Sequence, residues 1–322
     1  EYLLKDKGLL RDGRLFLRDE IIKDVALERY IKESKNNKIK SWSSLFLLFI
    51  FLPLMLVALY QWDQNRIKSY YFSAVGEKWS VPFGINELTA EQVSQRRYSY
   101  RFDYQGGILK YLYYQNSQGE LIANEEKDNV SMWEYKYTKQ GGLLSVVKKS
   151  DKKKLIRLDQ YQFGKNKSVV SFGKELGRVV SLSSSLSALS PYLKTAEQKK
   201  GKSTVTREVL SYNEKGYLIR RDYQNPFGGK VSDIVNSYGK SYEYNDLGLP
   251  ITTFNLDENG EYLITKGVVE VKLRYDGNGN LLERSYYGNN GKLKNIETQY
   301  AKLIMKYDLY GNEIETAFYG ES

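Results

Sequence analysis

The chain has 322 residues, with 49 Lys and Arg against 39 Asp and Glu, and a formal net charge of +10. It contains no Cys and no His, which excludes a disulfide framework, thiol chemistry and any mechanism that needs a histidine as base or metal ligand. Tyr is abundant, with 29 residues against 12 Phe and 4 Trp. This composition favours pleated surfaces, on which aromatic rings pair across strands.

Residues 1–40 are predicted to form a cytoplasmic juxtamembrane segment. Apolar residues at helical spacing predict a helix from Asp19 to about Lys35. It is either a docking helix for a cytoplasmic partner or a connector that lies on anionic lipid. Basic residues accumulate toward its end and favour a cytoplasmic N-terminus: Arg29, Lys32, Lys35, Lys38 and Lys40.

An uncharged stretch at residues 41–62 follows, with the sequence SWSSLFLLFIFLPLMLVALYQW. About 20 apolar residues in a helix cross a bilayer, so this stretch predicts one transmembrane α-helix. Trp42, Tyr60 and Trp62 lie at its ends, where aromatic rings favour the headgroup region. We therefore expect a single-pass protein of the bacterial inner membrane, with its C-terminal part periplasmic or extracellular.

Residues 63–97 are predicted to be a connector of mixed character. Within it, Thr89 followed by Gln92 has the form of a capping box, so a short helix is expected to begin there.

The rest of the chain, 98–322, is predicted to be a β-repeat domain, and its regular part is 207–322. Four units share a Tyr-Asn/Asp-x-x-Gly turn, and their tyrosines are 32, 31 and 32 residues apart. Such a period indicates repeat architecture. The turn residues are Tyr212, Gly216, Tyr244, Gly248, Tyr275, Gly279, Tyr307 and Gly311.

The chemistry of one unit predicts β-hairpins. Alternating residues approach the turn, Asn or Asp bonds its own backbone, and Gly supplies the positive φ. Asn-Gly pairs such as Asn259-Gly260 signal a second tight turn. No unit could bury its apolar face alone, so stacked units would form an extended antiparallel sheet or a solenoid. The predicted fold class is mainly β, with tandem antiparallel hairpins behind one N-terminal transmembrane helix.

Residues 98–206 contain diverged copies of the unit. Phe102 leads to Gly106-Gly107, and Tyr137 leads to Gly141-Gly142. A basic cluster follows the second of these copies and could bind anionic lipid or glycan through its positive potential, or could be a solvated insertion. Its residues are Lys148, Lys149, Lys152, Lys153 and Lys154.

The repeated turn, together with Tyr286-Tyr287-Gly288-Asn289-Asn290-Gly291-Lys292, resembles bacterial YD-type (RHS-like) repeats. The part with Gly291-Lys292-Leu293 is also similar to MORN-variant repeats. The resemblance covers roughly residues 98–322, with good matches after 207. It implies β-hairpin repeats that are used for binding or assembly, and it transfers no catalytic residue.

Together these features predict a membrane-anchored, non-catalytic subunit of an envelope complex, with no cofactor and no metal. The alternative is a glycan hydrolase that uses acidic residues, or a glycan- or lipid-binding module on the same β-scaffold. Besides the membrane, the expected partners are other envelope proteins or further copies of the chain, and nucleic acid is not expected. No capping helix follows Phe318-Tyr319-Gly320, so we expect an open strand edge there that pairs with another chain.

Overall fold

The computed structural model describes residues 10–11, 14–15, 20–124, 127–164, 167–175, 178–179, 205–233, 235–297 and 299–321. Residues 180–204, which belong to the predicted diverged repeats, lie outside the described residues. The chain divides into two compact units, 1–66 and 67–322.

The first unit contains a long helix, α1 (Glu20–Asn65), and a short antiparallel pair, β1 (Leu10–Arg11) with β2 (Arg14–Leu15). The predicted juxtamembrane helix and the predicted span both lie within α1, and Pro53 is inside it. Within the part of the chain that the structure describes, no helix has the combination of length and hydropathy that crossing a bilayer requires.

The second unit is built from β-strands and one short helix, α2 (Ala90–Gln95). Its first eight strands are β3 (Ile67–Lys78), β4 (Val81–Glu87), β5 (Ser99–Gln105), β6 (Ile108–Gln115), β7 (Met132–Tyr137), β8 (Leu143–Lys149), β9 (Leu155–Phe163) and β10 (Lys167–Glu175). The others are β11 (Arg178–Val179), β12 (Arg207–Tyr212), β13 (Leu218–Gln224), β14 (Gly239–Tyr244), β15 (Pro250–Leu256), β16 (Glu270–Tyr275), β17 (Leu281–Tyr287), β18 (Lys302–Tyr307) and β19 (Glu313–Tyr319).

These strands form one antiparallel sheet of hairpins, which confirms the predicted mainly β class. β4 pairs with β3, β3 with β5, and each strand from β5 to β10 with its successor. β10 then pairs with β12, and the order continues to β19, while β11 pairs with the end of β10. Because strand direction alternates, the turns that follow β5, β7, β9, β12, β14, β16 and β18 all lie at one end of the sheet.

Each regular repeat contributes one tight hairpin to this sheet. The register shifts at the leading tyrosine, between residues 211 and 212, 243 and 244, 274 and 275, and 306 and 307. The second strand of a repeat then pairs with the first strand of the next repeat over only three residues. The connection between those strands contains a further turn with a glycine at positive φ: Gly228, Gly260 or Gly291.

Three clusters of buried side chains stabilise the sheet. One belongs to the diverged half and includes Phe102 and Trp133. A second surrounds Tyr223, and a third surrounds Tyr286. Tyr223 and Tyr286 occupy equivalent repeat positions and are fully buried, so each ring packs against its cluster on all sides. The apolar alternation of the strands therefore forms a core along the whole sheet.

The segment predicted as a connector differs most from its expectation. Its helix α2 begins after Thr89, and the capping box with Gln92 is present, as predicted. The long hairpin β3–β4 was not predicted. In the structure, the ring of Phe83 lies over Gly76 and the ring of Phe72 lies over Gly84. Because the two glycines have no side chain, they interrupt the alternation of apolar and polar residues, and the sequence does not indicate strands there.

Candidate functional site

The first turn of each regular repeat is held by the side chain that follows the tyrosine. Asp276 Oδ1, for example, accepts hydrogen bonds from the backbone N–H groups of Asn278 (2.9 Å) and Asn280 (2.8 Å). The turn glycines lie at positive φ, as the sequence predicts, with values of 84°, 78°, 84° and 85° for Gly216, Gly248, Gly279 and Gly311. The leading tyrosines occupy the last strand positions before the turns: Tyr212, Tyr244, Tyr275 and Tyr307.

Residues 73–97, which we call the cover, lie against all four of these turns. At the first turn, Trp79 N donates to Gly216 O (2.8 Å), and the hydroxyls of Ser80 and Tyr212 are 2.6 Å apart. At the second turn, the ring of Phe83 lies 2.8 Å from the point where a Cβ on Gly248 would be. The cover therefore reaches residues that are far away in the sequence.

The same cover continues over the third and fourth turns. Ser73 Oγ donates to Asn278 O at 2.6 Å. Arg97 N donates to Asn312 Oδ1 at 2.6 Å, and Asn312 Nδ2 donates to Gln95 O at 2.9 Å. The guanidinium of Arg96 donates to the backbone carbonyl of Tyr310. The turn motif that repeats in the sequence is thus a contact surface within the chain.

The tip of the β3–β4 hairpin has an unusual backbone. Trp79 and Ser80 lie at φ 50° and 62°, in the left-handed region that bulky residues rarely adopt. Such residues persist where surrounding contacts hold them. The ring of Trp79 lies 4.9 Å from that of Tyr212, and the hydroxyl of Tyr212 is 2.7 Å from Ser168 Oγ. The tip is therefore held by both its backbone and its side chains.

The five lysines of the predicted anionic-ligand patch are not equivalent. Lys148 Nζ lies 2.7 Å from a carboxylate oxygen of Asp159, and Lys149 Nζ lies 3.1 Å from Glu134. Lys152, Lys153 and Lys154 are exposed in the turn between β8 and β9. Two of the positive charges are thus neutralised within the protein, and three face solvent.

Asp159 lies at the centre of a buried charge cluster. Besides Lys148, it accepts hydrogen bonds from Arg157 Nε (2.5 Å) and Nη2 (2.9 Å). Burial by itself would raise the pKa of Asp159, but the charges of Arg157 and Lys148 bring that pKa below its ordinary value. This carboxylate therefore stays ionised, and its structural role is to balance two buried cations.

A second buried charge pair lies farther along the sheet. Glu208 Oε1 accepts a hydrogen bond from Arg221 Nη1 at 3.2 Å. Nearby, Lys240 is only 2% exposed. Burial lowers the pKa of Lys240 to about 8, and the charge of Asp233 opposes this shift. The interior of the sheet thus contains ionised groups that neutralise one another.

Strand β19 is the last strand of the sheet along the chain. Among the described strands it pairs only with β18, through residues 302–307. Three apolar side chains of β19 are exposed: Ile314 (64%), Phe318 (51%) and Tyr319. A strand edge with exposed apolar side chains can accept a further strand from a partner.

Within the described residues, no group of three or more acidic side chains is placed to hold a metal ion. The sequence analysis did not identify the cover, the buried pairing of Lys148 with Asp159, or the role of Arg96. The positively charged side chains were visible in the sequence, but their partners are far away along the chain. The consecutive aromatic residues Tyr70, Tyr71 and Phe72 were a signal for β3, because aromatic side chains favour strands.

Comparison with known proteins identifies no family. No protein-family profile matches the chain, and no curated relative matches it. Among solved structures, the crystal structure of TcdB2-TccC3-TEV matches 69% of this chain and 11% of its own, with 8% identity and a TM-score of 0.26. The crystal structure of TcdB2-TccC3-Cdc42 matches 69% of this chain and 12% of its own, with 12% identity and a TM-score of 0.22. The chain thus spans about a tenth of the length of these solved chains.

Proposed function

We propose that this protein is a membrane-anchored, non-catalytic assembly subunit of a bacterial envelope complex. Its sheet binds a partner by adding a β-strand to the edge of β19. The observation that carries the proposal is that β19 pairs with β18 alone among the described strands and exposes the side chains of Ile314 and Phe318. Backbone hydrogen bonds would supply affinity, and the alternate side chains would supply specificity.

The charge arrangement supports binding rather than hydrolysis of glycans. A glycosidase needs one carboxyl group whose pKa is raised so that it can donate a proton. Among the described residues, the buried carboxylates Asp103, Asp159 and Glu208 are paired with cations, and Asp233 accepts hydrogen bonds from backbone N–H groups. Hydrogen bonds from Ser285 and Lys302 bring the pKa of Glu283 below its ordinary value despite burial. These carboxyls suit electrostatic balance better than acid catalysis.

Anchoring rests on the sequence of residues 41–62 and on the exposure of the described part of that stretch. Phe51, Leu52, Leu54, Met55 and Leu56 are consecutive or nearly so on α1, and all are exposed. A helix that is apolar on every side requires an apolar environment. In the proposed topology, residues 1–40 are cytoplasmic and the sheet is outside the cytoplasm. A reporter fused after Ser322 that is active only in the cytoplasm would contradict this topology.

Site-specific photocrosslinking in the membrane of a bacterial host tests the proposed binding edge. A photoreactive amino acid at Phe318 is expected to give a discrete adduct of the full chain. The matched control is Phe227, an aromatic residue that is 94% exposed in a turn away from the edge. Equal crosslinking at both positions, or none at Phe318, would overturn the proposal.

A second candidate function is binding of anionic lipid or glycan by the three exposed lysines. The observation in its favour is that Lys152, Lys153 and Lys154 lie together in one exposed turn. Substituting all three with Ala should weaken binding of the full chain to vesicles of phosphatidylglycerol. A control variant changes three separate exposed lysines, Lys127, Lys139 and Lys215, and removes the same charge. Equal losses in the two variants would argue against a specific site.

A further inference from the structure

The second regular repeat places its aromatic side chain on the opposite face of the sheet from its neighbours. Tyr223 and Tyr286 are fully buried and lie five positions after the residues that pair with the leading tyrosines of their repeats. In the second repeat this position is the polar Asn255, and the aromatic residue is Phe254, one position earlier. Successive side chains of a strand point to opposite faces. The ring of Phe254 therefore lies on the face opposite to the buried tyrosines, which we call the outer face.

A second ring covers Phe254 on this outer face. Tyr262, which follows the second turn of the same repeat, stacks on Phe254 with the ring centroids 4.1 Å apart and the planes within 9°. Tyr262 is 58% exposed, so one face of its ring packs on Phe254 and the other face meets solvent. Two residues after the turn glycine, the first and third repeats have Lys230 and Leu293 instead. The two stacked rings, which we call the aromatic platform, are therefore specific to the second repeat among those with this turn.

An ion pair borders the aromatic platform on one side. The strand register places Arg220 and Phe254 on either side of Ser241 and on the same face. Arg220 donates to Asp222 through Nε (2.9 Å) and Nη2 (2.8 Å), and its guanidinium group lies against Gly260 in the adjacent turn. Within the described residues its hydrogen bonds use only these two nitrogens. The Nη1 donors of this partly exposed side chain can therefore bond to a ligand.

A second ion pair borders the aromatic platform on the other side. Glu270 lies opposite Phe254 on β16, and its carboxylate is 3.5 Å from Lys272 Nζ. The same Nζ lies 4.9 Å from the ring centroid of Tyr287, which is opposite Glu270 on β17. Both flanking pairs consist of one cation and one carboxylate, so neither gives the surface a net charge. This balance favours an uncharged ligand over an ionic one.

We propose that the aromatic platform binds a neutral glycan of β-1,4-linked hexopyranose rings. Such a sugar ring has a flat face of C–H groups, which packs on the exposed face of an aromatic side chain. Its hydroxyl groups project from the edge of the ring and both donate and accept hydrogen bonds. Arg220 and Asp222 offer charged donors and acceptors beside the platform, and hydrogen bonds to charged groups are the stronger ones. The stacked rings thus supply contact area, and the ion pair orients the sugar.

This site is separate from the edge of β19 and from the exposed turn of Lys152, Lys153 and Lys154, because it lies on strands β13 to β17. The inference therefore goes beyond the proposed function and does not depend on it. The alternative is that the stacked rings only shield the turn. Tyr262→Leu distinguishes the two roles, because the third repeat has Leu293 at the equivalent position. Leucine retains an apolar cover but has no flat ring.

Isothermal titration calorimetry of the full chain tests the inference, with cellotetraose and chitotetraose as probes and in a detergent without a sugar headgroup. The wild type should bind at least one of these β-1,4-linked probes and should bind the curved, α-linked maltotetraose more weakly. Tyr262→Leu should lower the affinity by about tenfold or more, the effect expected when a stacking ring is removed. Tyr262→Phe keeps the ring and should retain the affinity.

Phe227→Leu is the matched control. Phe227 is an aromatic residue of the equivalent turn in the first repeat and is 94% exposed, so its loss should leave the affinity unchanged. Arg220→Met keeps the length of the side chain without its donors and should weaken binding less than Tyr262→Leu does. Circular dichroism should show that all four variants are folded. Absence of binding to both β-1,4-linked probes, or equal affinities of wild type and Tyr262→Leu, would overturn the inference.

Discussion

The two halves of the sheet contain the same kind of turn in different surroundings. In the regular half, a Cβ added to Gly216, Gly248, Gly279 or Gly311 would lie 2.3 to 2.8 Å from an atom of the cover. In the diverged half, a Cβ added to Gly107 or Gly141 would meet nothing within 4 Å. Both halves have the glycine at positive φ. Local chemistry therefore makes the turn, and a distant segment decides whether the turn is also a packing surface.

The halves also differ in how they stabilise their interiors. The diverged half places Asp159 between two buried cations, Lys148 and Arg157. In the regular half, hydrogen bonds and ring contacts join the turns to the cover. This half also contains the buried Lys240. Both halves thus contain a buried charge pair, since the regular half has Glu208 with Arg221, and the regular half additionally depends on contacts of its turns with residues 73–97. The following substitutions test that distinction.

The largest effect is expected for Asp159→Asn. The substitution leaves Lys148 and Arg157 buried without their counter-charge, which should lower the free energy of unfolding by about 3–5 kcal/mol. Asp222→Asn is the matched control, because the Arg220–Asp222 pair lies at the surface and should contribute less than about 1 kcal/mol. Chemical denaturation of the full chain measures both. Equal losses of unfolding free energy in the two variants would show that the buried cluster stabilises the diverged half no more than a surface ion pair does.

The same pair of variants has a pH signature. Because the pKa of Asp159 is lowered in the folded state, its contribution is present above the unfolded pKa and is lost as the pH falls through the folded value. Wild-type protein should therefore lose stability on acidification below about pH 4. Asp159→Asn should show less of this loss, and Asp222→Asn should keep it.

Gly279→Ala should cost more than Gly141→Ala, although the two glycines lie at φ 84° and 85°. Positive φ alone costs a non-glycine residue roughly 1–2 kcal/mol, and this is the expected effect at Gly141. At Gly279 the new methyl group would also lie 2.7 Å from Ala74 Cβ, so the total should be about 3 kcal/mol. Equal losses in denaturation would contradict the packing role of the cover.

Lys240 provides a test of the regular half through pH. Since burial lowers its pKa to about 8 in the folded state, the folded state binds fewer protons than the unfolded state between pH 8 and pH 10. The stability of the wild type relative to Lys240→Met should therefore rise with pH in that window, by about 2 kcal/mol. The comparison with Lys240→Met is needed because the buried tyrosines, whose pKa values are raised, lower the stability of both chains as the pH approaches 10. The charged groups that act on Lys240 are Asp233, Arg221, Glu208 and Asp128, and substituting an exposed lysine such as Lys215 should leave the rise unchanged.

The smallest effect is expected at the tip of the cover. Ser80→Ala removes the hydrogen bond to Tyr212 and should cost about 1 kcal/mol, because a buried hydroxyl then lacks one partner. Ser94→Ala is the control, since Ser94 Oγ donates to Glu91 O at an exposed site and should matter little. If both variants unfold at the same denaturant concentration as the wild type, the tip contributes nothing measurable to stability.

Sequence reasoning was most accurate where the chemistry is local. The Asx side chain, the glycine and the two strands of a regular repeat lie within a few residues of one another, so period and turn type could be predicted. The β3–β4 hairpin was missed because Gly76 and Gly84 replace the expected apolar side chains. The lysine cluster was recognised, but its division into paired and exposed residues depended on Asp159 and Glu134, which the sequence does not mark as partners.

The sequence by itself thus determined the mainly β class, the repeat period and the positions of the turns. These follow from steric and hydrogen-bonding preferences within single hairpins. Only the tertiary structure decided that the cover lies on the turns, because its bonds join residues 132 to 217 positions apart. It also decided that Asp159 is the carboxylate that balances Lys148. Such contacts depend on the accumulated twist of many strands and on the register of each strand pair. A short stretch of sequence determines neither quantity.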